Sequence, residues 1–458
     1  MRDQLLQKAE SKNQLWIVIF IYLSIFINSY VFFTSPFEFY FGYLIYIVLL
    51  PVFMFRYQFN RSLVFIFLTL LVTGIFNIVL GNNTVALFVK VFAGLVMAYF
   101  FYYYVILEFE YNIEQLFKWY LLGSYIVCVI GLIQFISFQI GFTPGYDYSW
   151  VLNKGGVVRG GNFGIRVNSV FTEPTYLAST VSAAFFVAVY NLFRRENYYL
   201  SKFQSLLIIV VFILSFSSLG QTGVFLTFIF LAVNFGLARY IIILVPAAIV
   251  LFNVLYTNVS DFRERYDGLT TLFSGGDFRL GKTHGSSYIL YNNYHVATEN
   301  FKTNFLFGGG IGSHPVAFEK YSLAKGMKVY GFNLNSADAN SMLLRLISET
   351  GIFGTGLFLF IVFKCYVRRN SHYDTSHWLI SNAILVMIML NLFRQGHYFL
   401  NGFPFFVILY YFNWKSYHLY LDTGRTLYEQ TMEDRGIVVK EGEDESSAGH
   451  AEEAVAKV

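Results

Sequence analysis

The chain has 458 residues, of which 56% are hydrophobic, 20% aromatic and 13% charged. Soluble domains carry about 25% charged residues, so this composition excludes an ordinary soluble globule and points to a polytopic membrane protein. The formal net charge of +4 decides little, because in a membrane chain it is the distribution of charge that carries information.

Runs of about 20 mostly apolar residues are what a helical span requires. Taken in order, they predict about twelve spans at residues 15–33, 39–55, 63–80, 86–107, 116–140, 176–193, 203–219, 224–237, 240–256, 341–363, 378–392 and 398–412. The first run lacks a small-residue cleavage site and is read as a retained span rather than a signal peptide. Basic residues mark one side. Arg2, Lys8 and Lys12 precede the first run, Arg56 and Arg61 follow the second, Lys118 opens the fifth, and Arg194, Arg195 and Lys202 follow the sixth. Arg239, then Lys364, Arg368 and Arg369, then Lys415 and Arg425 continue the series. With a cytoplasmic N-terminus all of them fall on the cytoplasmic side, as the positive-inside rule asks. The expected fold is therefore an all-α polytopic membrane protein with about twelve transmembrane helices, both termini cytoplasmic, and a large external loop between spans nine and ten.

The corresponding organisation is a cytoplasmic N-terminus at 1–14, nine spans over 15–256 with an external loop at 141–175, and the large loop at 257–340. Three spans follow at 341–413, and then a charged, largely disordered cytoplasmic tail at 414–458. Cys128 and Cys365 lie far apart in apolar runs and suggest neither a disulfide framework nor a zinc site.

Chemistry-bearing residues gather in the external segments. In the first, RVNSVFTEPTYLA puts Arg166 shortly before Glu173 and Pro174. A guanidinium there suits bidentate binding of a pyrophosphate, and Glu-Pro also suits the first turn of a helix. SFSSLGQTG, between runs seven and eight, reads as a tight turn whose small residues allow close helix packing. In the large loop Arg279, Lys282 and His284 stand in a glycine-rich setting fit to fold over an anion. NYHVATENFKTNFLF reads as an amphipathic helix, and FGGGIG as a tight backbone turn rather than a dinucleotide fingerprint. Asn340, Leu344 and Ile347 are expected on one helical face, and Arg345 and Glu349 form an i, i+4 pair. Glu349 would then lie at membrane depth, where an ionisable group is a functional candidate. NLFRQGHYFLNGF places Arg394 and His397 in the last external turn, where His can act as a general base near neutral pH.

The order of these features is R-x-x-S-x-F-x-E-P, a serine-rich turn, a large external loop closing with F-G-x-G-I-G, and a helix running to L-I-S-E-T-G-I-F-G. It resembles the Wzy O-antigen polymerase family, which is related to the O-antigen ligases, over most of the chain from Leu15 to Phe412. The resemblance implies glycosyl transfer on the periplasmic face of the bacterial inner membrane, without metal, nucleotide or other cofactor. Donor and acceptor would be oligosaccharides linked to undecaprenyl pyrophosphate, and a chain-length-regulating co-polymerase is the implied protein partner. Glu173, His397 and Asn340 are then the expected catalytic residues, and Arg166, Arg279, Lys282, Arg345 and Arg394 the expected pyrophosphate- or glycan-binding ones. Asn340 stands where the ligases carry a His, nine residues before the Glu of E-x-G, which favours polymerase over ligase chemistry. A lipid-linked oligosaccharide flippase is the reading from another class, and it would show repeated halves and broken mid-membrane helices.

Overall fold

The computed structural model describes residues 2–34, 37–194, 197–237, 241–258, 260–274, 285–327, 334–370 and 376–435. Among them the fold is helical, and extended pairing is limited to two isolated bridges, Val31 with Tyr40 and Arg159 with Ile165. The helices in order are α1 (Arg2–Phe26), α2 (Phe41–Arg56), α3 (Arg61–Val79), α4 (Val85–Glu108), α5 (Ile113–Gln139) and α6 (Thr143–Tyr146). Then come α7 (Pro174–Phe193), α8 (Lys202–Leu214), α9 (Ser218–Asn234), α10 (Ile241–Asn258), α11 (Ser260–Phe273) and α12 (Gly285–Thr303). The last are α13 (His314–Tyr321), α14 (Met342–Lys364), α15 (His377–Arg394), α16 (Phe403–Thr423) and α17 (Leu427–Asp434).

Every apolar run of the sequence falls on a helix. Among the described residues six helices, α3, α4, α5, α7, α14 and α15, are long and apolar enough to cross a membrane, and four shorter apolar ones accompany them. This is the character of a membrane protein. Burial separates centre from rim: α7 and α15 bury 83% and 78% of their most apolar stretch, and α3 buries 17%. The small residues Ala178, Ser179, Ser182, Ala183 and Ala184 line α7 and are buried, which lets neighbouring helices approach closely. Phe185 of α7 stacks on Phe212 of α8 with ring centroids 4.1 Å apart.

The connections bind to one another in two groups, at opposite ends of the bundle. At one end Lys154 N–H donates to the Ser29 carbonyl, Thr172 N–H to Asn28, Asn82 to Asn304 and Val167 N–H to the Leu214 carbonyl. At the other Arg56 pairs with Glu108 at 2.6 Å, Tyr199 donates to Glu114, and Asn234 donates to Asn382 at 2.8 Å.

The structure corrects several boundaries. α1 stops at Phe26, not at residue 33, because the polar side chains that follow are used by the loops: Ser29 donates to the Val170 carbonyl and Asn28 accepts from Thr172. Of SFSSLGQTG only residues 215–217 turn, with Phe216 at a φ of 44°, and α9 begins at Ser218. α14 is kinked at Gly351, whose φ of 60° and ψ of −158° break the helix. α16 begins at Phe403, after a 3₁₀ turn at Leu400–Gly402, and runs to Thr423, where Gly424 caps it in the left-handed conformation. The tail expected from residue 414 is therefore folded up to residue 435. Thr426 and Glu429 form a capping box that starts α17, and its Leu427 and Met432 are buried. The rest of that expected tail lies outside the described residues.

Candidate functional site

The end that carries the larger connections holds a concentration of ionisable side chains, assembled from six segments of the chain. It is organised by α14. Ser341 caps this helix by accepting from Leu344 N–H, which places Arg345 and Glu349 on consecutive turns facing inward. Arg345 Nε lies 3.0 Å from Glu349 Oε1, with 5% of the one side chain and none of the other exposed. Glu349 is held from the far side too: its Oε2 accepts from Gly312 N–H at 2.9 Å. The glycine turn thus wraps the carboxylate. Gly309 and Gly310 N–H donate to the Ser348 and Glu349 carbonyls, and Ile352 and Phe353 N–H, released by the kink, donate to Phe305 and Leu306. A Cβ on Gly308 would sit 2.5 Å from the Glu349 backbone, and one on Gly351 2.6 Å from the Leu306 carbonyl. Only glycine permits both the contact and the positive φ at these two positions.

Arg345 reaches onward. Its Nη1 donates to the Gly396 carbonyl at 2.7 Å, and its guanidinium lies 4.3 Å from the centre of the Tyr398 ring. Both anchors belong to the segment after α15, and His397 sits between them. His397 Nε2 is 3.1 Å from Asp338 Oδ2, with 31% of the imidazole side chain exposed and 11% of the aspartate. The fit behind this pair is close, since a Cβ on Gly396 would fall 1.5 Å from the Asp338 carbonyl oxygen. Asp338 also accepts from Asn340 N–H at 3.0 Å. Burial acts to raise the Asp338 carboxyl, but His397, the Asn340 N–H and Arg345 together hold it below the usual carboxylate range.

Around the pair stand residues from the other connections. Tyr176, in the first turn of α7, has its ring 6.2 Å from the His397 ring. Its electrostatic neighbours are Asp338, Glu173 and Glu38. Glu38, in the hairpin after α1, binds Lys154 and accepts from Tyr40. Burial opposes ionisation of Glu38, and the Lys154 and Tyr40 bonds outweigh it, so its carboxyl is lowered. Lys90 of α4 is exposed and acted on by Arg345 and Glu38.

Of the residues singled out in the sequence, Glu173 and His397 enter this cluster directly. Glu173 precedes α7 with Pro174 in the first turn, is exposed, and accepts from Thr175. Arg345 enters in a different capacity: its bonds run to Glu349 and Gly396, so it holds the segment that presents His397 rather than facing the chamber. Asn340 is a correction. It lies outside α14 at a φ of 54°, not on a helical face with Leu344 and Ile347, because Ser341 takes the cap; its backbone supports Asp338. Arg394 ends α15, half-buried, with Nη2 3.4 Å from the Ser286 carbonyl. Arg166 is half-buried in the 157–171 segment, its stem against Gly160. Arg279 and Lys282 lie outside the described residues, as does His284.

Sequence reading missed Asp338, Glu38, Lys154, Tyr176 and Lys90. Asp338 was visible as the one acidic residue of NSADAN, two positions before Asn340. No local pattern pairs it with His397; only the packing of Gly396 does. Lys90 was visible as a lone charge inside an apolar run.

An imidazole bonded through one nitrogen to a buried carboxylate and partly open to solvent is the arrangement of a general base. Among the described residues no three His, Cys, Asp or Glu side chains stand close enough to hold a metal ion. No protein-family model matches the chain, and no curated protein matches it. Among the described residues, fold and site therefore define a class: a helical membrane protein with a cluster of ionisable side chains at one end of its helices.

Proposed function

We propose that this protein is a polymerase of lipid-linked oligosaccharides, a metal-independent membrane glycosyltransferase acting on undecaprenyl-pyrophosphate-linked repeat units. In this reading about twelve spans sit in the bacterial inner membrane with both termini cytoplasmic, and the chamber faces the periplasm. The observation that carries the proposal is the His397–Asp338 pair, set among residues of the very segments whose order resembles the polymerase family. His397 would accept the proton of the acceptor hydroxyl. That oxygen would attack the anomeric carbon of the donor glycan, and undecaprenyl pyrophosphate would depart with the electron pair of the broken C–O bond. Asp338 would keep the imidazole in the tautomer and orientation this needs. Arg166 and Arg394 are the arginines proposed for the leaving diphosphate.

One observation keeps the related ligase in view. Asn340 stands where a ligase carries its His, but His397 brings an imidazole to the same turn of chain through Asp338. One experiment separates the readings. A deletion strain is profiled for lipid-linked and surface glycan, then complemented with wild type, H397Q, D338N, R166A and R394A. A polymerase gives single-repeat glycan in the deletion strain, and each variant restores little or no long chain although it inserts normally. Polymer stranded on undecaprenyl pyrophosphate supports the ligase. Accumulation of cytoplasm-facing repeat supports a flippase, and unchanged long chains defeat all three.

A further inference from the structure

Among the described residues of the cluster, three basic side chains each face a carboxylate and a fourth does not. Lys154 binds Glu38, Arg345 binds Glu349, and His397 binds Asp338. Lys90 does not pair: among the described residues no carboxylate lies within ion-pairing distance of it, and its Nζ lies 5.8 Å from the centre of the Phe37 ring. Yet Lys90 stands five positions after Val85, the first residue of α4, about 7 Å along the helix from its end. It is the one charged residue between Val85 and Leu107 of that helix. An ammonium this close to the end of an apolar helix reaches the interface, where an anionic group can pair with it.

Its surroundings say what would complete it. The adjacent faces of α4 are occupied: Phe88 fills the space over Gly74 of α3, Gly312 lies against Leu87 and Val91, and Gly94 receives the Phe399 ring. The Lys90 side chain is turned instead to Phe37 of the aromatic hairpin after α1, and Arg345 and Glu38 lie near enough to act on its charge. That hairpin presents Phe32 and Phe33, each 45% exposed, and Phe33 stacks on Phe39 at 5.0 Å. An ammonium beside a charge-rich cluster and the exposed rings of the hairpin fits an amphiphile with an anionic head and an apolar tail.

On the reading proposed above, we infer that Lys90 holds the diphosphate of the lipid-linked substrate where it enters the chamber between the α1–α2 hairpin and α4. The ammonium supplies the counter-charge, the diphosphate completes the charge pairing of the site, and the aromatic hairpin lies beside the first part of the lipid chain. This assigns a binding role only, with no bond made or broken at Lys90. A free diphosphate or a phospholipid headgroup shares the phosphate chemistry, and the test separates the three.

The full chain is purified into nanodiscs of neutral lipid, and binding is measured for undecaprenyl diphosphate, inorganic pyrophosphate and phosphatidylglycerol. Wild type is compared with K90Q, K90R and K118Q, the last a lysine at the opposite end of the bundle, over the Tyr199 ring. Loss of one charge-assisted contact should weaken undecaprenyl diphosphate binding about tenfold or more in K90Q. K90R and K118Q should stay close to wild type, and unliganded melting temperatures should be equal in all four. Equal binding of undecaprenyl diphosphate by wild type and K90Q, or no binding by either, overturns the inference. K90-dependent binding of phosphatidylglycerol as tight as that of the diphosphate lipid overturns the substrate assignment. So does binding of inorganic pyrophosphate as tight as that of the lipid. The two proposals fail separately: a deletion strain with normal glycan but K90-dependent diphosphate binding sinks the polymerase reading alone. Short glycan with K90-independent binding sinks only the role of Lys90.

Discussion

His314 opens α13 with its ring fully buried between two partners, Ser348 at 3.2 Å and Asn293 at 3.0 Å. Burial first, and the nearby Arg345 second, push its pKa down from 6.5 to about 3, against the opposing pull of Asp338. In the unfolded chain this imidazole binds a proton below about 6.5, and in the folded protein it does not until about pH 3. Stability from the neutral ring is fully present above about pH 6.5 and is lost as the pH falls towards 3, at a limiting rate of about 1.4 kcal/mol per pH unit. Acidifying the detergent-solubilised protein from pH 7 to 5 should lower its melting temperature, and H314Q should flatten that slope. An equal slope in wild type and variant would remove His314 as its source. The same residue scale explains why Arg345 matters without facing a substrate: it links Glu349, Gly396 and Tyr398, and removing one partner of such a buried pair costs about 3–5 kcal/mol.

Among the elements, α14 is built to be interrupted. Its kink frees the Ile352 and Phe353 amides for Phe305 and Leu306, while the glycine turn supplies amides to Ser348, Glu349 and the Glu349 carboxylate. Helix and turn therefore lock by backbone, which requires that neither carry a Cβ at the crossing. G351A and G308A should each destabilise by about 1–3 kcal/mol from the forced φ alone, and by more where the added carbon meets carbonyl or peptide atoms at 2.5–2.6 Å. G356A, five residues past the kink with nothing within 4 Å of an added Cβ, is the matched control and should melt at or above the wild-type temperature. Equal melting of G351A and G356A would show that the interlock contributes nothing.

For the whole molecule, the two ends do different work. One end gathers the charge pairs of the candidate site; at the other, side-chain bonds tie the connections together and α17 packs on α16. Leu427 N–H donates to Ser416, and Arg435 pairs with Glu110. Truncation after residue 423 should lower the melting temperature below that of truncation after residue 435, since Leu427 and Met432 would no longer cover their neighbours. At about 1.5–3 kcal/mol for each buried side chain the loss is easily measured. The same melting temperature for both truncations would show that α17 adds nothing to the fold.

The helical architecture was legible in the residues themselves. Apolar runs of spanning length, interrupted by basic or glycine-containing breaks, each became a helix, because a helix satisfies its own backbone polar groups without outside partners. Legible too were Glu173 and His397, polar residues beside the ends of apolar runs, and the glycines of FGGGIG, whose backbone demands are local. What only the tertiary structure decided was partnership. Asp338 meets His397 because Gly396 has no side chain to hold the two segments apart, and Arg345 turned from a ligand-facing residue into a support because Gly396 offers it a carbonyl. Lys90 stood in plain view as a lone charge, yet which carboxylates Lys154, Arg345 and His397 would take was decided by packing between distant segments. Contacts between segments tens or hundreds of residues apart leave no periodicity in the chain, so no pattern in the sequence could announce them.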